Sequence, residues 1–190
     1  MTISVLTIII AVLVIGAGLF LVRAFPAVRA YFNFRGKRLV TCPETHKPEA
    51  VDVNASEAAL GVFFVEPTLR LKECSRWPER QGCGQECLDQ IEVDPESCLV
   101  WNIVAKWYEG KKCVFCQKAI TPLRHLDHPP ALIGPDFQTR EWKGIPPQQL
   151  PKIFSTHQPV CWNCHVTESF RRLHPDLVTD RAPETRRIMQ

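Results

Sequence analysis

Two cysteine pairs have the spacing of metal ligands. Cys113 and Cys116 form one Cys-x-x-Cys motif, and Cys161 and Cys164 form a second, which His165 follows directly. A Cys-x-x-Cys pair supplies half of a four-thiolate zinc site. Cys-x-x-Cys-His is also the attachment motif of a c-type haem, in which both thiols bond the porphyrin and the histidine ligates iron. The two interpretations predict different proteins.

The zinc interpretation uses both pairs. Its predicted ligands are Cys113, Cys116, Cys161 and Cys164. Along the chain, a Cys-x-x-Cys turn is followed by a predicted hairpin and then by a pair whose second cysteine opens a helix. This order resembles the treble-clef class of zinc fingers over about Lys112 to Arg172. The resemblance implies a closed structural site, with two thiolates from a turn and two from the start of a helix.

The haem interpretation uses only the second pair. Cys161 and Cys164 would become thioethers and His165 would be the proximal iron ligand. The protein would then be a membrane-bound monohaem cytochrome that transfers electrons. Cys113 and Cys116 argue against it, because a domain with one haem has no use for a further thiol pair.

A second set of thiols lies in the first half of the chain. Its members are Cys42, Cys74, Cys83 and Cys87. They match no known ligand spacing, yet they suffice for a second four-thiolate site that holds zinc or an iron–sulfur cluster. The alternative is that they are ordinary buried thiols. Cys98 either replaces Cys42 in the set or packs in the core.

Catalytic chemistry has little support in the sequence. No serine, carboxylate or histidine constellation predicts a hydrolytic site, and a closed four-thiolate site has no open position for a substrate. A thiol redox role for either Cys-x-x-Cys motif is the third alternative. It is disfavoured because neither motif lies in a βαβ pattern. Enzyme activity is therefore left open, and we expect none.

An uncharged apolar segment over residues 3–22 predicts an uncleaved transmembrane helix in contact with membrane lipid. At about 1.5 Å per residue, twenty residues span the hydrocarbon core. No basic residue precedes the segment, whereas Arg23, Arg29 and Arg35 follow it. Positive charge near a transmembrane end stays in the cytoplasm. We therefore expect a single-pass protein of a bacterial inner membrane with a cytoplasmic domain.

A cytoplasmic location bears on the two metal interpretations. Thiols stay reduced in the cytoplasm, which suits zinc thiolates. Covalent haem attachment takes place on the outer side of bacterial membranes. Both facts favour zinc over haem without excluding haem.

Composition limits the remaining function classes. The chain has 190 residues with a formal net charge of +3, so no strong positive field predicts nucleic-acid binding. Sixteen prolines and nine cysteines indicate a loop-rich fold that bonds other than a large apolar core hold together. The predicted fold class is a small α+β, metal-stapled domain behind one transmembrane helix.

Five segments are predicted in chain order. They are the transmembrane helix over 3–22, a basic and aromatic linker over 23–38, a cysteine-containing α+β subdomain over 39–110, a treble-clef-like zinc subdomain over 111–174 and a mobile tail over 175–190. Strands are expected over 38–41 and 50–53, and helices after Ser56 and after Asp94, the latter ending at Gly110.

The predicted function is that of a scaffold or adaptor. It would hold one or two zinc ions and present a rigid domain to a protein partner. The alternative is the haem c electron carrier described above.

Overall fold

Helices and small antiparallel sheets make up the residues that the computed structural model describes, which are 4–62, 69–80 and 82–178. The predicted mobile tail lies outside these residues from position 179 onward. The helices are α1 (Val5–Phe34), α2 (Ala55–Gly61), α3 (Leu88–Val93), α4 (Val100–Tyr108), α5 (Leu150–Thr156) and α6 (Trp162–Leu173). The strands are β1 (Arg38–Thr41), β2 (Pro48–Val53), β3 (Leu71–Cys74), β4 (Ala131–Ile133), β5 (Thr139–Glu141) and β6 (Gln158–Val160).

The N-terminal helix α1 is long and apolar enough to cross a membrane over Thr7–Phe34, and an 18-residue window within it has a mean hydropathy of 2.7. It continues through most of the segment that the sequence predicts to be a linker. Ala27 in this extension is buried, and α1 packs against α2, so tertiary contact stabilises the added turns. The first part of α1 has no such partner among the described residues. A signal sequence near the N-terminus passes the same test of length and apolar composition.

The first sheet has the strand order β1-β2-β3, with both pairs antiparallel. Its first two strands confirm those predicted from the β-branched residues on either side of the proline-rich turn. Val40, Val51 and Val53 on one face pack with Leu88 and Ile91 of α3 into a buried cluster.

Two helices begin at different residues from those predicted. The N-cap of α2 is Asn54 rather than Ser56, because the Asn54 side chain accepts a hydrogen bond from the backbone N–H of Glu57. Asp94 does accept from Ser97, but that turn stops short of α4, since Leu99 is extended and bridges Arg38 of β1. Helix α4 therefore starts at Val100 rather than directly after Asp94.

The second sheet has the order β5-β4-β6, and its last strand leads directly into Cys161. The β4–β5 hairpin is the one predicted from the sequence. Tyr108 of α4 is buried and donates its hydroxyl proton to the Ala131 carbonyl at 2.9 Å. Because Gly110 ends the helix with a φ of 70°, the chain turns from Tyr108 directly into the first cysteine pair.

Candidate metal centre

Four thiols from two distant segments converge beside the second sheet. They are Cys113, Cys116, Cys161 and Cys164. Their Sγ atoms all lie within 4.8 Å of one another, and no other group of three or more potential ligands among the described residues is this compact. The Sγ atoms of Cys116 and Cys161 are 3.7 Å apart. The predicted zinc ligands are thus brought together as one cluster.

A tight turn positions the first pair. The N–H of Gln117 donates to the Cys113 carbonyl at 2.9 Å, and the N–H of Cys113 donates to the Lys118 carbonyl at 2.9 Å. Gln117 has a φ of 58°, the left-handed conformation that reverses the chain. The turn folds Cys116 back over Cys113, so both thiols face the same side.

A strand end and a helix start position the second pair. Cys161 follows β6 and is the N-cap residue of α6, while Cys164 lies in the first turn of that helix. The N–H of Val114 donates to the Pro159 carbonyl at 3.0 Å, which fastens the first turn to β6. This bond holds the first cysteine pair next to the second.

The surroundings of the cluster favour negative charge on Cys113 and oppose it on Cys161 and Cys164. Burial raises the pKa of Cys113, but backbone N–H donors from Cys116, Cys161 and Phe115 outweigh burial and bring the pKa to about 7. Burial and the neighbouring thiols raise the pKa of Cys164, and burial also raises the pKa of Cys161. Four adjacent thiolates need a cation to offset their repulsion.

The donor set fits one metal ion. Four sulfurs at the corners of a small tetrahedron are typical of zinc, and iron accepts the same set. Zinc–sulfur bonds of about 2.3 Å place neighbouring sulfurs about 3.8 Å apart, which agrees with the distance from Cys116 to Cys161. With all four positions taken by protein, such a centre is structural rather than catalytic.

His165 makes contacts away from the thiols. Its Nδ1 is 2.8 Å from the hydroxyl of Thr139, and its Nε2 is 3.9 Å from a carboxylate oxygen of Glu141. Both nitrogens therefore face β5, and the side chain is 12% exposed. Burial is the main cause that lowers the pKa of His165, which favours the neutral imidazole. The haem interpretation would require one of these nitrogens to turn toward iron.

The second set of thiols lies around a separate cavity of about 100 Å³, lined by Cys42, Cys74, Cys83 and Cys87. They are less tightly gathered than the first four. Cys98 does not line this cavity. Its thiol donates to the Gln90 carbonyl at 3.6 Å, within the buried cluster that the first sheet forms with α3. Of the two roles that the sequence allows for Cys98, these contacts favour packing.

Comparisons with protein-family models, with curated proteins and with solved structures find no match to this chain. The assignment of a function therefore rests on the residues of the chain itself.

Proposed function

We propose that this chain is a single-pass membrane protein that holds a zinc-stapled domain on the cytoplasmic face and acts there as a scaffold for a protein partner. The observation that carries the proposal is the convergence of four thiols, all within 4.8 Å of one another. The order of turn, hairpin and helix around them supports a treble-clef-like arrangement.

The proposed zinc ion has a structural role. It would join the turn at Cys113 and Cys116 to the start of α6 at Cys161 and Cys164, and it would neutralise part of the thiolate charge. Structural zinc contributes on the order of 10 kcal/mol to the folding of small domains. The apolar core beside the cluster is small, with Ala131, Ile133, Val160 and Cys113 as its buried residues. A bound metal ion would supply folding stability that so small an apolar core does not.

The membrane part of the proposal rests on α1 and its charges. The helix is apolar, and its basic residues Arg23, Arg29 and Arg35 come only in its C-terminal part and just after it. This asymmetry supports a cytoplasmic C-terminal domain. The cytoplasm keeps thiols reduced, as zinc thiolates require. A rigid domain beside the membrane, with all metal positions filled by protein, suits a binding platform better than an enzyme.

The second candidate function is electron transfer by a haem c at Cys161, Cys164 and His165, and the Cys-x-x-Cys-His motif favours it. Two observations support zinc instead. Cys113 and Cys116 occupy the space next to the motif thiols. The imidazole of His165 is also engaged with Thr139 and Glu141.

Metal analysis of the purified full chain tests the proposal. We expect a colourless protein that contains zinc, and loss of one equivalent in Cys116→Ser. Cys98→Ser is the matched control, since Cys98 lies outside the cluster. A haem spectrum from the wild-type chain, or equal zinc in Cys116→Ser and wild type, would refute the proposed centre.

A further inference from the structure

We propose a second zinc site, formed by Cys42, Cys74, Cys83 and Cys87 around the cavity in the first subdomain. It does not depend on the proposed function, because none of its ligands belongs to the first cluster. The inference rests on a turn that the chain uses twice and on the groups that line the cavity.

The turn at Cys42 has the same hydrogen bonds as the turn at Cys113. The N–H of His46 donates to the Cys42 carbonyl at 2.8 Å, and the N–H of Cys42 donates to the Lys47 carbonyl at 2.9 Å. Both bonds connect the same relative positions as those around Cys113. The fourth residue after each cysteine also has the left-handed backbone conformation, with a φ of 54° at His46 and 58° at Gln117.

The two turns differ at the third position after the cysteine. Thr45 stands where the other turn has Cys116, so the remaining ligands must come from other segments.

The first sheet supplies the next ligand. β1 and β3 run in the same direction on either side of β2. Cys42 directly follows β1 and Cys74 is the last residue of β3. The register places Cys74 opposite Val51, level with the start of β1, and both thiols line the same cavity beside the sheet. Cys83 and Cys87 reach the same cavity from the segment that leads into α3.

The cavity has room for a metal ion and has two arginines in its lining. Its volume of about 100 Å³ leaves room for one ion. A zinc ion with four thiolates has a net charge of −2, and Arg76 and Arg80 line the cavity. Nη1 of Arg76 already lies 3.3 Å from the Cys42 sulfur. Three carboxylates also line the cavity, those of Glu44, Glu49 and Glu86. Glu44 forms ion pairs with both arginines, and Glu49 accepts a hydrogen bond from the Ser75 hydroxyl.

The loop that carries Cys83 can close on the metal. The four thiols are not within 4.8 Å of one another, unlike the first cluster, so binding must draw at least one of them inward. Gly82 and Gly84 flank Cys83, and a Cβ on Gly82 would meet nothing within 4 Å. Glycine on both sides gives this loop the freedom to move its thiol toward the other three.

Zinc analysis of the full chain in detergent, after purification under reducing conditions, tests the second site. We expect about two zinc ions per wild-type chain, about one in Cys83→Ser and about one in Cys116→Ser. Cys98→Ser should keep both, because its thiol faces the Gln90 carbonyl and not the cavity. Alkylation mapped by mass spectrometry should show Cys83 protected in wild type.

The variants separate this proposal from the first. One zinc per wild-type chain that is lost only in Cys116→Ser, with Cys83 freely alkylated, would overturn the second site and leave the first. One zinc that is lost only in Cys83→Ser would support the second site and overturn the first. Full zinc content in Cys83→Ser would also overturn the second site.

Discussion

The sulfur atoms of Cys116 and Cys161 lie 3.7 Å apart although the two residues are 45 positions apart in the sequence. A disulfide requires about 2.05 Å between its sulfurs, so this pair is not bonded. The separation is that of two ligands on one tetrahedral metal ion, about 3.8 Å for zinc. The fold thus brings a turn and a helix start to the spacing of a shared ligand set.

Replacing a ligand cysteine should destabilise the domain far more than replacing the histidine that follows the second cysteine pair. Cys113→Ala leaves a weakened three-thiolate site, and we expect most of the zinc-dependent stability, on the order of 10 kcal/mol, to be lost. His165→Ala removes the hydrogen bond to Thr139 and should cost about 1–2 kcal/mol. Limited proteolysis of both variants measures the difference. A fragile His165 variant beside a robust Cys113 variant would favour haem.

Zinc affinity should rise steeply with pH. The pKa values of Cys161 and Cys164 are raised in the metal-free chain, so both thiols are protonated near neutral pH. Zinc binds thiolates and must displace these protons. Affinity is therefore lost as pH falls.

This dependence can be measured by competition with a chelator whose own protonation is known. We expect log affinity to increase by about two or more per pH unit between about pH 6 and pH 8, and zinc titration to release protons. A pH-independent affinity would contradict thiol ligation. Cys98→Ser serves as the control and should give the wild-type slope, because Cys98 lies outside the cluster.

Gln117, which has a left-handed backbone conformation in the turn after Cys113, should not tolerate a β-branched side chain. Gln117 has a φ of 58°, which glycine adopts readily and β-branched residues do not. We expect Gln117→Gly to match or exceed the wild-type melting temperature and Gln117→Val to lose about 1–2 kcal/mol. Lys118→Val, one residue later, is the control. Equal stability of the two Gln117 variants would show that the turn does not hold this conformation.

The site was easier to predict from the sequence than the elements that carry it. Cys113, Cys116, Cys161 and Cys164 repeat a short spacing that has few other uses, so the sequence predicts their grouping, and the structure brings them together. The β4–β5 hairpin was equally predictable, because turn residues separate two β-forming segments. Strand β6 was missed, since three residues that include a proline give no periodicity.

Other features depend on contacts that a local pattern does not contain. The start of α4 is set by a bridge between Leu99 and Arg38, far apart in sequence. The extension of α1 is set by packing on α2. The turn at Cys42 has a single cysteine, so no Cys-x-x-Cys motif marks it, although Pro43 and the following polar residues do indicate a turn.

Membrane topology should follow the charges around α1. A reporter fused after Gln190 should be active only if it works in the cytoplasm, and an N-terminal tag should stay with the membrane fraction. Adding lysines ahead of α1 while replacing Arg23 and Arg29 with glutamine should invert the result. Loss of the N-terminal tag would show that the helix is a signal sequence, and activity outside the cytoplasm in the wild-type chain would remove the compartment argument for zinc.

The most direct test of the central claim is the metal content and absorption spectrum of the intact chain, compared with those of Cys116→Ser. A zinc centre predicts a colourless wild-type protein, with about one zinc ion fewer in the variant. A coloured protein whose spectrum is unchanged in Cys116→Ser but abolished in His165→Ala would contradict it, because only a haem uses the histidine and ignores the first cysteine pair.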